Sequence, residues 1–185
     1  MKKFSIEFKW AALATLAALI WMFIGKSMGF HTEKVRYEVL LEMLFSFLLF
    51  IFYWLGIRQK KKEYYDNVIQ WQQAFMTGLV MCVMITLFFP IVQFITFNQV
   101  SPNFMETLAH ALINEANMTP EEAYQNASFD LFLRNGVMNN LSFGIIFTTI
   151  ISYVLKTKNY DQIKAAAQKP EMVKVKKQKG KTKRK

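Results

Sequence analysis

Cysteine is almost missing from this chain. Cys82 is the only one, which excludes an intramolecular disulfide framework. It sits inside an apolar run and reads as a small buried thiol. Histidine is scarce too. His31 and His110 lie far apart, with no cysteine or second histidine near either, a spacing that suits no metal site. The GxSxG, HExxH, P-loop and dinucleotide-binding signatures are all missing, and Ser101 has no evident base in the sequence. An intramembrane enzyme is therefore the weakest functional reading, and no cofactor or metal is expected. Acidic residues are few: 13 against 23 basic ones, for a net charge of +10. In a soluble protein that excess would suggest nucleic acid. Here the placement of the charge matters more than its sum.

What the chain has in quantity is apolar sequence, 53% of the total with 18 Phe and 11 Met, and it falls in four blocks with the charges between them. A hydrocarbon core about 30 Å thick needs roughly 20 residues of helix at 1.5 Å each. The blocks predict spans at about 10–29, 39–57, 74–97 and 136–155. Ending the first at Ile24, they carry one formal charge, Glu42, whereas a soluble amphipathic helix carries charges along one whole face. The expected fold is all-α: a four-helix transmembrane bundle forming one domain over 1–157, followed by a disordered basic tail over 158–185. A cleaved leader is the competing reading of the first block, from Lys2, Lys3 and Ser27-Met28-Gly29, but Glu7 and Lys9 separate its basic start from the apolar run.

Lys and Arg set the orientation. With the N-terminus inside, nineteen of them fall in cytoplasmic segments and four (Lys26, Lys34, Arg36, Arg134) outside. Trp10, Trp54, Trp71 and Tyr153 then sit at the inner interface, where amphipathic aromatics collect. Both termini are expected in the cytoplasm.

Close approach of small residues drives helix association in lipid. The third span carries Ala74, Gly78, Cys82 and Thr86 at every fourth position, then Pro90, which should kink it. The fourth carries Gly136, Asn140, Gly144, Thr148 and Ser152. These stripes predict that the third and fourth spans pack on one another. The first span, with Ala14 and Ala18 as its best small pair, is the least constrained.

Glu42, Gln93, Asn139 and Asn140 all fall about 6 Å below the outer boundary by helical rise. Intramembrane polar groups usually face the bundle and pair. They read either as a hydrogen-bonded clasp between helices or as an outward-facing polar vestibule of a small transporter or channel.

The segment Asn98–Asn135 is the one sizeable polar stretch outside, with five carboxylates against Arg134. It predicts a hairpin of two amphipathic helices over 101–134. Ser101-Pro102 would start the first, with Met105, Leu108, Ala109, Leu112 and Ile113 on its apolar side. Thr119-Pro120-Glu121-Glu122 is a capping box for the second, with Tyr124, Ala127, Leu131 and Phe132 on its apolar side. Such faces must lie on the membrane, on the spans or on a partner. Asn117-Met118-Thr119 and Asn126-Ala127-Ser128 are sequons, a three-residue pattern that would be without consequence were the protein bacterial.

The tail is too charged to fold alone. Lys174, Lys176, Lys177, Lys179, Lys181, Lys183, Arg184 and Lys185 suit anionic lipid headgroups, at about 1 kcal/mol per basic residue near the surface. Without aromatic interleaving or a supporting fold, ribosomal RNA is the remoter partner and no nucleic acid is expected.

FSIEFKW before the first span, KKKEYYDN followed by WQQAFMTGLV, and VSPNF with NMTPEEAYQNASF in the hairpin together resemble the bacterial family catalogued as domain of unknown function 4199. The resemblance covers the chain to about residue 157. It implies a small four-span protein of the bacterial inner membrane and carries no activity, substrate or cofactor with it. The leading expectation is a non-enzymatic structural, accessory or interaction protein, with a protein partner or a second copy as its associate.

Overall fold

In the computed structural model, which describes residues 4–163 and 166, one long helix carries nearly all of each apolar block, the first block running two residues past its helix and the third ending in a π-turn. These are α1 Ser5–Ser27, α2 Glu38–Glu63, α3 Trp71–Ile95 and α6 Phe129–Leu155, with two short helices, α4 Phe104–Ala116 and α5 Pro120–Asn126, between α3 and α6. Four of them are long and apolar enough to cross a membrane, and no strand occurs among the described residues. The protein is an all-α, multi-pass membrane protein. The eight basic residues Lys174 to Arg184 and Lys185, proposed for lipid headgroups, and the tail beyond 166 lie outside the described residues.

The helices outrun the apolar blocks. α2 continues through Arg58 and Lys60–Lys62 to Glu63, and α6 begins at Phe129, seven residues before Gly136. Hydrogen bonding along a helix does not stop where the hydrocarbon stops. Near its far end α3 passes through Pro90 and runs on into a π-helical turn, Thr96–Val100.

α3 is the central element. It packs most extensively on α6, then on α1, and α1 also packs on α2. The first span is thus well anchored, contrary to the sequence expectation. Its buried face is Ile6, Glu7, Ala11, Ala14, Met22 and Gly25.

Two ends can be distinguished. At the terminal end, where α1 begins and α6 stops, Lys60 Nζ lies 2.9 Å from Glu7 Oε1, both side chains 3% exposed. Beside this pair the Trp10 indole N–H donates to Gln59 Oε1 at 2.6 Å. Lys61 Nζ donates to the Leu155 carbonyl at 2.8 Å, placing a cation on the negative end of the α6 dipole. The Thr157 N–H donates to Ile69 O at 2.8 Å, and Thr157 Oγ1 accepts from Ile69 N at 2.9 Å.

At the hairpin end Val35, Phe97 and Phe104 form a second buried cluster with Phe129 and Phe132 against it. Thr119 caps α5 through the capping box read from the sequence. Two details depart from expectation. α5 stops at Asn126, because the Ser128 side chain accepts from Leu131 N and starts α6 there. Leu131 and Phe132 therefore belong to α6. Ser101 does not cap α4, which begins at Phe104. Its hydroxyl instead lies 2.7 Å from His31 Nδ1, while Lys26 Nζ donates to the Val100 carbonyl.

His31 is therefore the base that Ser101 lacked in sequence. Both residues are buried, 3% and 6% exposed. The pair latches the α1–α2 loop to the π-turn. Burial, and secondarily the charge of Lys26, push the His31 imidazole below its ordinary value of 6.5. The unfolded chain then binds a proton more readily than the folded one. Stability should be full above pH 6.5 and fall as the pH drops below it. Melting temperatures of the purified protein between neutral and acid pH check this. The wild type should lose stability on acidification more steeply than His31→Gln, and equal slopes would contradict the latch.

Candidate functional site

The α3–α6 seam is antiparallel and steps one turn at a time. A Cβ on Gly78 would meet Thr148 Cγ2 at 2.5 Å, a Cβ on Gly144 would collide with Cys82 Sγ, and one on Gly136 would collide with the Phe89 ring. Cys82 Sγ also faces the carbonyls of Asn140 and Leu141, at 3.7 and 3.9 Å. Ala74, Cys82, Thr148 and Ser152 are fully buried. Thr86 Oγ1 is buried without a hydrogen-bond partner, as are the hydroxyls of Thr148 and Ser152.

α2 lies across part of this seam. Tyr53 reaches in so far that its hydroxyl would sit 2.7 Å from a Gly144 Cβ. Phe50 meets the Phe147 ring edge-on at 5.3 Å between centroids. Toward the hairpin end the space between α2 and α6 is a cavity of about 190 Å³. Its back wall is α1 and α3, through Ala14, Trp21, Met22, Val92 and Gln93. Its two sides are Val39–Leu49 of α2 and Gly136–Phe143 of α6. Trp21 is held in place by donating its indole N–H to Leu41 O at 3.1 Å and by the Phe45 ring 5.9 Å away. Val39, Met43 and Phe143 at the mouth are exposed, whereas Gln93 at the back is 2% exposed.

Glu42, Gln93, Asn139 and Asn140, picked from sequence by depth alone, all line this one cavity. They arrive from three helices. Glu42 and Asn139 are exposed at the mouth, and Asn140 is half-buried. The Glu38 carboxyl stands one turn from Glu42 on the same helix and is buried. Gln93 Oε1 is buried with no hydrogen-bond partner. An orphaned buried acceptor costs about 1–3 kcal/mol, so it marks a place where a donor belongs. Glu38, Ser46 and Trp21 were missed as neighbours of this site. The i,i+4 spacing of Glu38 and Glu42 was the one signal available.

The two histidines do not meet. His31 is in the latch, and His110 sits beside Glu106 on α4 at 3.9 Å, both exposed. Among the described residues no group of three or more His, Cys, Asp or Glu could hold a metal ion.

No curated protein and no solved structure matches this chain. A family model does, over residues 9–157, which takes in α1 from Lys9, the other three long helices and every residue of the cavity. The chain thus belongs to the family described as protein of unknown function, DUF4199.

Proposed function

We propose that this is a non-enzymatic, ligand-binding protein of a bacterial inner membrane, with both termini cytoplasmic and a polar vestibule open on the outer side, in the manner of a small transporter. One observation carries the reading. Four polar side chains from three helices converge on a single cavity, and the most buried of them, Gln93, has an acceptor with nothing to accept. Largely apolar pockets with a few convergent polar groups are the usual form of a ligand site. The orientation rests on the cationic side chains, since Lys9, Arg58, Lys60–Lys62 and Lys156 all belong to the terminal end.

The accessory role expected from sequence leaned on the hairpin's apolar faces. Phe104, Ala109 and Ala123 are buried there, Leu108, Leu112 and Ile113 are half-buried, and Tyr124 is exposed.

Cysteine labelling tests the vestibule and its side together. Wild type is the blank, because Cys82 is fully buried. Asn139→Cys should react with a charged, membrane-impermeant thiol reagent added to intact cells. Ile146→Cys, deeper on α6 and exposed only toward lipid, should not. An unreactive Asn139→Cys, or one reactive only in inverted vesicles, contradicts the proposal.

A further inference from the structure

The cavity's shape and chemistry narrow what it holds. Its volume of about 190 Å³ equals roughly six waters at about 30 Å³ each. That falls short of the roughly 300–1,000 Å³ of pockets that enclose drug-sized ligands. It suits a single chain lying in a groove. From Val39 to Leu49 the groove runs ten residues along α2, about 15 Å, or one leaflet of a hydrocarbon core about 30 Å thick. Besides its outer opening at the hairpin end, the groove is open sideways between α2 and α6, past Val39, Met43 and Phe143, where its neighbour is lipid. The polar groups sit at the hairpin end of the groove, about 6 Å below the outer boundary, and the deep end is Leu49, Ile85 and Phe143.

The head is constrained as well. The cavity is lined by a carboxyl, Glu42, and by Gln93, whose buried Oε1 has no hydrogen-bond partner. No Lys or Arg lines it, so nothing there balances a net-anionic head. A primary ammonium has three donors and no acceptor, which complements that set. We infer that the groove between α2 and α6 binds a bilayer lipid with a primary-ammonium head, one acyl chain along the groove and the ammonium on Glu42 and Gln93. This rests on the ligand-binding reading above and deepens it.

The test uses the full chain in nanodiscs of phosphatidylcholine, whose quaternary head has no N–H donor. A minor fraction of a lipid with brominated chains is added, headed either by ethanolamine or by glycerol. Trp21, in the cavity wall, is the reporter, with Trp10, Trp54 and Trp71 changed to Phe. A charge-assisted hydrogen bond corresponds to roughly a tenfold or greater difference in affinity. The ethanolamine lipid should therefore quench Trp21 at a mole fraction roughly tenfold lower than the glycerol lipid. Gln93→Leu and Glu42→Gln should each remove most of that preference. Should the reporter variant fail to fold, the lipids retained by the wild type in native mass spectrometry answer the same question. Equal quenching or equal retention of the two lipids overturns the inference. If Asn139→Cys is still labelled in that case, the vestibule stands and only its ligand class is wrong. If the labelling fails too, both fall.

Discussion

Lys60→Met should lower the stability of the folded protein by about 3–5 kcal/mol, the usual cost of leaving one member of a buried ion pair uncompensated. Lys60 and Glu7 are each 3% exposed and 2.9 Å apart, so little solvent screens the loss. Lys60 also lies over the Tyr64 ring, 4.2 Å from its centroid, so Glu7→Met should cost a similar amount while leaving Lys60 that contact. The double variant Glu7→Met, Lys60→Met should recover most of the loss, because replacing a whole buried pair by apolar side chains is often neutral. Thermal melts of the four proteins in detergent complete the cycle. A harmless single substitution, or a double variant no better than the singles, would show that the pair does not hold α1 to α2.

Gly144→Leu should leave no folded protein. A single added Cβ already collides with Cys82 Sγ and crowds Tyr53, and these neighbours belong to α3 and α2, so relief on one side tightens the other. Gly144→Ala should survive at a cost of about 1–3 kcal/mol, the range for overpacking a filled site. Ile146→Leu, two residues on and 51% exposed toward lipid, should be neutral. Expression and melting temperature separate the three. A stable Gly144→Leu would mean that the seam is looser than its side chains indicate.

The four spans were readable because a bilayer imposes a length and a composition on any helix that crosses it, and neither depends on what the helix touches. The ends were less readable. The restart at Ser128 breaks a run that looked like one amphipathic helix from Pro120 to Phe132, and a single serine among polar neighbours gives weak notice of that. The Glu7–Lys60 pair was invisible for a different reason. The two residues are 53 positions apart, and each looked like an ordinary charge at the edge of a span. The same holds for His31 and Ser101, whose meeting depends on a loop turn through Gly29 at φ +82°. Depth brought Glu42, Gln93, Asn139 and Asn140 together on paper. Their facing one cavity required the rotation of three helices about their axes, which a pattern of small residues only loosely sets.

The central place of α3 also bears on how the protein is made. Domains form from the N-terminus during synthesis, so α1, α2 and α3 are in place while α4 and α5 are still emerging. Until α6 arrives, the stripe of Gly78 and Cys82 faces lipid, and the groove has only one of its two sides. The fourth span, α6, both closes the most extensive interface of the fold and creates the site. A chain cut short after the hairpin would therefore be a bare three-helix intermediate with its packing stripe displayed. Such an intermediate is the form a membrane quality-control protease could tell from the finished protein.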